Sequence, residues 1–160
     1  MIKLGKLTDY GLVLMTWIAR SDRHALHTAR DLAATSRVPL PTVSKLLKQL
    51  LQSGLLLSHR GVRGGYLLAK DPREISLAEI IVALDGPIAF TDCSSEAGGM
   101  CELEHLCPIR DNQRIINQVV RGALENVSLA DLVHPLRLTN IKNARGELLP
   151  IIGFLSGRTQ

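Results

Sequence analysis

Three cysteines, Cys93, Cys101 and Cys107, are the only residues of their type in the 160-residue chain, and all fall in one short stretch. Their pattern, Cys93-x7-Cys101-x5-Cys107, is not the C-x2-C pairing of a zinc ribbon or knuckle. An odd number of cysteines in a reducing compartment argues against a disulfide framework. Wide spacing around Gly98-Gly99 lets three thiolates converge on one inorganic object. The chemistries open to such a set are an iron–sulfur cluster, a zinc ion, or free redox-active thiols. Three thiolates completed by one foreign ligand would make a labile cluster, which suits a sensor better than an electron carrier. Pro108 follows Cys107. Proline fits a first helical turn, so the spacing predicts Cys107 at the N-cap of a helix over 108–124, where the helix dipole favours a thiolate.

The elements that must position this loop lie on both sides of it. Leu12, Met15, Ile18 and Ala19 recur at helical spacing and predict a first helix over 8–20. Thr28 with Asp31 three residues on reads as the cap of a short second helix with Ala29, Leu32 and Ala33 on one face. Ser36-Arg37-Val38-Pro39 makes a turn, Pro41 fits the start of a third helix, and Gly54 ends it. That helix has Val43, Leu46, Leu47 and Leu50 on one side and Thr42, Ser44, Lys45, Lys48 and Gln49 on the other. The period then changes. Residues 55–60 and Tyr66-Leu67-Leu68 flank Arg60-Gly61-Val62-Arg63-Gly64-Gly65 and predict a hairpin. Ser76-x-x-Glu79 and Ser128-x-x-Asp131 cap two further short helices. The 108–124 helix carries Ile109, Ile116, Val119 and Ala123 in a stripe that Asn112 interrupts, the pattern of a helix paired with a twin.

Charge points to a partner for the N-terminal part. The net +4 is uneven: residues 28–70 hold seven Lys and Arg against one acid, whereas residues 91–160 hold seven against eight. The outer face of the third helix is cationic and hydrogen-bonding, with no acid, which suits a helix lying in a DNA major groove. A hairpin with Arg60 and Arg63 at its tip, directly after such a helix, is a wing, and its arginines suit the minor groove. The expected fold is mainly α: a winged helix-turn-helix DNA-binding domain with a small β-hairpin wing, a cysteine loop and a long dimerisation helix. The expected divisions are a DNA-binding domain over 1–88, a cluster-binding loop over 89–107, the dimerisation and following helices over 108–134, and a tail of unassigned role over 135–160.

Composition excludes several classes. Apolar residues make up 46% and aromatics 3%, so the core is aliphatic. No apolar run is long enough to span a membrane, and the N-terminus lacks a secretory pattern, so a cytoplasmic location is expected. No nucleotide-binding glycine motif or catalytic constellation is present, so an enzyme is not expected.

Several segments together carry a family resemblance. They are Leu7-Thr8-Asp9-Tyr10-Gly11-Leu12, Gly54-Leu55, Arg60-Gly61-x-x-Gly64-Gly65-Tyr66-Leu67-Leu68 and the cysteine triad. Over about residues 1–135 the chain resembles the IscR/NsrR family of winged-helix iron–sulfur transcription regulators, and most of all regulators of the SUF cluster-assembly operon. The resemblance implies a homodimer joined through the long helix, a palindromic double-stranded DNA operator, repression, and Cys93, Cys101 and Cys107 as ligands of an iron–sulfur cluster. A 2Fe–2S form is favoured over 4Fe–4S. IscR-like members carry histidine three residues after the third cysteine. Here Arg110 stands there, and a guanidinium cannot ligate a metal. NsrR-like members use an aspartate near the start of the first helix, supplied by the other subunit, and Asp9 matches that position. Asp9 in the Thr-Asp-Tyr string also fits a helix cap, and Glu104 and His105 are local alternatives as ligand. A cluster-free regulator sensing thiol oxidation or a small molecule is the rival reading.

Overall fold

The computed structural model describes residues 4–89 and 106–134. Among the described residues, six helices and one hairpin follow in chain order: α1 (Lys6–Arg20), α2 (Ala29–Ser36), α3 (Leu40–Gln52), β1 (Leu56–His59), β2 (Gly65–Leu68), α4 (Leu77–Asp85), α5 (Arg110–Glu125) and α6 (Leu129–Leu132). A 3-10 turn over Pro72–Glu74 joins β2 to α4. The mainly helical fold with a two-stranded wing is the one the sequence predicts.

Local chemistry accounts for most of the element boundaries. Thr28, Ser76 and Ser128 each form a complete capping box, with Asp31, Glu79 and Asp131 respectively, so the first orphan N–H groups of α2, α4 and α6 find side-chain acceptors. Pro41 sits in the first turn of α3, and Gly54, at φ +76°, turns the chain out of that helix into β1. The wing pairs antiparallel, with Leu56 opposite Leu68 and His59 opposite Gly65.

The aliphatic core lies between α1, α3 and α4. Leu14 and Met15 of α1, Val43, Leu46, Leu47 and Leu50 of α3, and Ile80 of α4 are all fully buried. The entire inner face expected of α3 is therefore in the core. The return from α5 to α6 is tied to the start of α4 by two backbone bonds, Leu77 N–H to Val127 O at 2.7 Å and Leu129 N–H to Ile75 O at 2.7 Å. This closes the helical body and places α6 beside α1. The first strand does not alternate strictly: Leu55 and Leu56 are both buried and Leu57 is exposed, because the strand emerges from the core into the wing.

Two expectations at helix starts are corrected. Cys107 is not the N-cap of α5. Ile109 is, and the chain makes a turn first, with Arg110 N–H reaching Cys107 O at 3.4 Å. Nor does the Thr-Asp-Tyr string cap α1. Gly5 is the N-cap, in extended conformation, and its N–H donates to Asp85 Oδ2 at 3.1 Å. That carboxylate at the end of α4 anchors the N-cap residue itself rather than an N–H of the first turn, and no side chain caps the helix. Thr8 is fully buried and Asp9 lies inside the first turns.

Candidate functional site

The outer face of α3 is built by the burial of its inner one. Locking Val43, Leu46, Leu47 and Leu50 into the core fixes the rotation of the helix, and Ser44, Lys45 and Lys48 stand exposed on the opposite side. Thr42 is partly buried at the edge of this face. Gln49 is too, with its Oε1 enclosed and without a partner among the described residues. No acidic residue stands in the first turn of α3.

The wing is held by a contact not anticipated from the sequence. His27, just before the α2 cap, adds a third-strand bridge to β2: its N–H donates to Tyr66 O at 3.0 Å and Tyr66 N–H donates to His27 O at 2.9 Å. Gly65 makes this approach feasible. A Cβ there would lie 2.9–3.0 Å from the backbone O, C and N of His27. A Cβ on Gly64 would collide with the carbonyl of His59. The Gly-Gly-Tyr string is thus a steric requirement of a wing clamped to the entrance of α2. The tip beyond it carries Arg60 and Arg63, both exposed. The sequence signal for the clamp was the short stretch before Thr28, too brief to show a period.

Among the expected cluster ligands, Cys107 is described: a partly exposed free thiol three residues before α5. Cys93 and Cys101 lie outside the described residues, as do Glu104, His105 and the tail after residue 134. Asp9 is exposed on α1 and rims a groove lined by Leu12, Val13, Trp17, Leu77 and Leu132. Its side chain therefore faces away from its own core. The far end of the groove is fixed by Arg20, whose guanidinium donates to Val133 O at 3.2 Å.

Most of the expected stripe is exposed: Ile109 at the N-cap and Ile116 and Val119 on α5 are half or more accessible, Ile115 equally so, whereas Ala123 is partly buried and the buried residue of the helix is Asn117. Beside it, Lys70 and Glu79 form a 3.2 Å ion pair at the base of the wing. Burial acts to raise the Glu79 pKa. The Ser76 N–H and the Lys70 ammonium outweigh it and hold the carboxyl below its usual range.

With a recognition-type helix, a clamped wing and an exposed helical stripe in place, comparison with known proteins decides the family. Residues 4–135 match the model of Rrf2, described as an iron-dependent transcriptional regulator. The chain belongs to the Rrf2 family. It is 30% identical over 125 residues to the HTH-type transcriptional regulator IscR of Serratia proteamaculans, covering 78% of this chain and 75% of that one. It is 26% identical over 132 residues to the HTH-type regulator NsrR of Shouchella clausii, covering 82% and 89%. The solved structure of CymR, the global cysteine regulator of B. subtilis, superposes with a TM-score of 0.66 at 28% identity, covering 83% of this chain and 97% of that one. The family model and both sequence relatives are described as transcriptional regulators, so this Rrf2 chain is a winged-helix transcription regulator. Among the described residues no helix is long and apolar enough to cross a membrane.

Proposed function

We propose that this Rrf2 regulator acts as a homodimer that reads a palindromic operator and senses the state of an iron–sulfur cluster. Thr42, Ser44, Lys45 and Lys48 of α3 enter the major groove, and Arg60 and Arg63 of the wing follow the adjacent minor groove. The observation that carries this reading is the acid-free outer face of α3 beside a wing clamped in place through His27 and Gly65. Dimerisation through α5 accounts for the half-exposed Ile109, Ile116 and Val119, since burying the exposed half of each against a twin contributes about 1 kcal/mol. The division into residues 1–88, 89–107 and 108–134 follows from the same roles.

Cys93, Cys101 and Cys107 hold the cluster, with Asp9 of the second subunit as fourth ligand. The donor set fits: three thiolates and one oxygen, with Cys107 accessible and Asp9 turned outward. A bound cluster, 2Fe–2S in the favoured form, supplies a redox- and oxygen-labile crosslink. The chain's own residues convert its presence into a bias between DNA-competent and incompetent dimers. Repression of SUF-type cluster-assembly genes in the cytoplasm is the output this reading favours. Thiol sensing without a cluster is the second reading, favoured by the free, partly exposed Cys107 and by the likeness to a cysteine regulator.

The test uses a duplex selected in vitro by the wild-type protein. Lys45→Ala is expected to weaken it by about 1–3 kcal/mol if Lys45 reads a base, and less if it meets phosphate. Equal binding across a salt series removes α3 as the reader.

A further inference from the structure

Among the described residues, one non-glycine has a positive φ: Arg37, at φ 58° and ψ 21°. It closes α2 in the left-handed conformation, where glycine is the usual choice because an L side chain crowds its own carbonyl. An arginine held there costs stability, so its presence calls for a compensating role. Its neighbours are held on both sides. Val38 is buried in the core beside Leu32, its N–H bonds to Ser36 Oγ at 3.3 Å, and Pro39 is the N-cap of α3.

The side chain is spent on nothing inside the molecule. Arg37 is exposed and has no hydrogen bond or ion pair among the described residues. Arg20, Arg23 and Arg121 are different: Arg20 is bonded to Val133 O, Arg23 pairs with Asp71, and Arg121 pairs with Glu125. Arg37 stands at the entrance to α3, two residues before its cap, with the exposed cations Lys45 and Lys48 further along the same helix. A cation fixed at the mouth of a reading helix is suited to a phosphate of the groove wall, which sets the depth and register of the helix.

We infer that Arg37 is a DNA phosphate contact that positions α3 in the major groove. This rests on α3 being the reader. Arg37→Gly relieves the strained backbone while removing the cation, so the two properties should separate. The variant is expected to be at least as stable as wild type to heat and urea. Its binding to the selected duplex should be roughly tenfold weaker at low salt, with the slope of log affinity against log salt reduced by about 0.9. Arg37→Gln, which keeps the side-chain bulk at the strained position, should lose affinity equally. Arg37→Lys should recover most of it. Loss of stability in Arg37→Gly, or affinity and salt slope equal to wild type, overturns the inference. Lys45→Ala, measured alongside, separates the two failures: if it weakens binding while Arg37→Gly does not, only the Arg37 assignment falls, and if neither does, the reading of α3 falls with it.

Discussion

Replacing Gly65 by alanine tests the link between the Gly-Gly-Tyr string and operator binding. The added methyl would lie 2.9 Å from His27 O and 3.0 Å from His27 C and N. These are backbone atoms next to the α2 cap, so they cannot swing aside as a side-chain tip could. Relief requires β2 to move away from His27, which breaks the bonds at 3.0 and 2.9 Å to Tyr66. Two such bonds contribute about 1–3 kcal/mol together, and alanine recovers roughly 0.5–1 kcal/mol over glycine in a strand. The net loss should be about 0–2.5 kcal/mol in urea unfolding. The larger effect falls on function, because the strand that shifts carries the wing tip. Fluorescence anisotropy on the selected duplex should show weakened binding. If Arg60 and Arg63 both leave the minor groove, two cations are withdrawn from the duplex and the salt slope should fall. A variant with wild-type stability and an unchanged salt slope would refute the idea that the His27 bridge sets the wing.

Ile116→Asp places a carboxylate in the exposed stripe of α5 and should yield monomer or aggregate that no longer binds the palindrome tightly; sedimentation showing an intact dimer excludes this helix from the interface. Asp9 is exposed and is not a cap, so Asp9→Ala should leave stability within about 0.5 kcal/mol while shifting the visible spectrum of the cluster and hastening its loss in air; an unchanged spectrum assigns the fourth position to another residue. Glu79 has its pKa held below the ordinary 4.5 in the folded protein, so its contribution is complete above that value and disappears as pH falls through the lowered one. Glu79→Gln should therefore destabilise the protein at neutral pH and converge with wild type in acid, and a difference independent of pH would show that the charge is irrelevant.

The sequence foretold most where one local rule acts alone. The capping boxes at Thr28, Ser76 and Ser128, the core face of α3 and the Gly-bounded wing each follow from a few neighbouring residues, and the structure contains all of them. The failures occur where a distant group intervenes. The start of α1 depends on Asp85, eighty residues away, accepting from Gly5, so the local string around Asp9 misled. The His27 bridge depends on β2 reaching back across α2 and α3. The residue at the head of α5 was misjudged because Pro108 permits a turn as readily as a helix start. For the site, the solvent-facing side chains of α3 were legible because burial of one helix face dictates the other. The cluster ligands were legible only as residue types, since Cys93 and Cys101 lie outside the described residues.

The measurement that bears most directly on the account is the iron and acid-labile sulfide content of the protein purified without oxygen, read with its visible absorption. The account predicts iron and sulfide in equal amounts, with sulfide-to-iron charge-transfer bands that vanish when Cys93, Cys101 or Cys107 is changed to alanine. A colourless protein, free of iron and sulfide after anaerobic reconstitution yet still binding its selected duplex, would contradict it and leave the cysteines as thiol sensors.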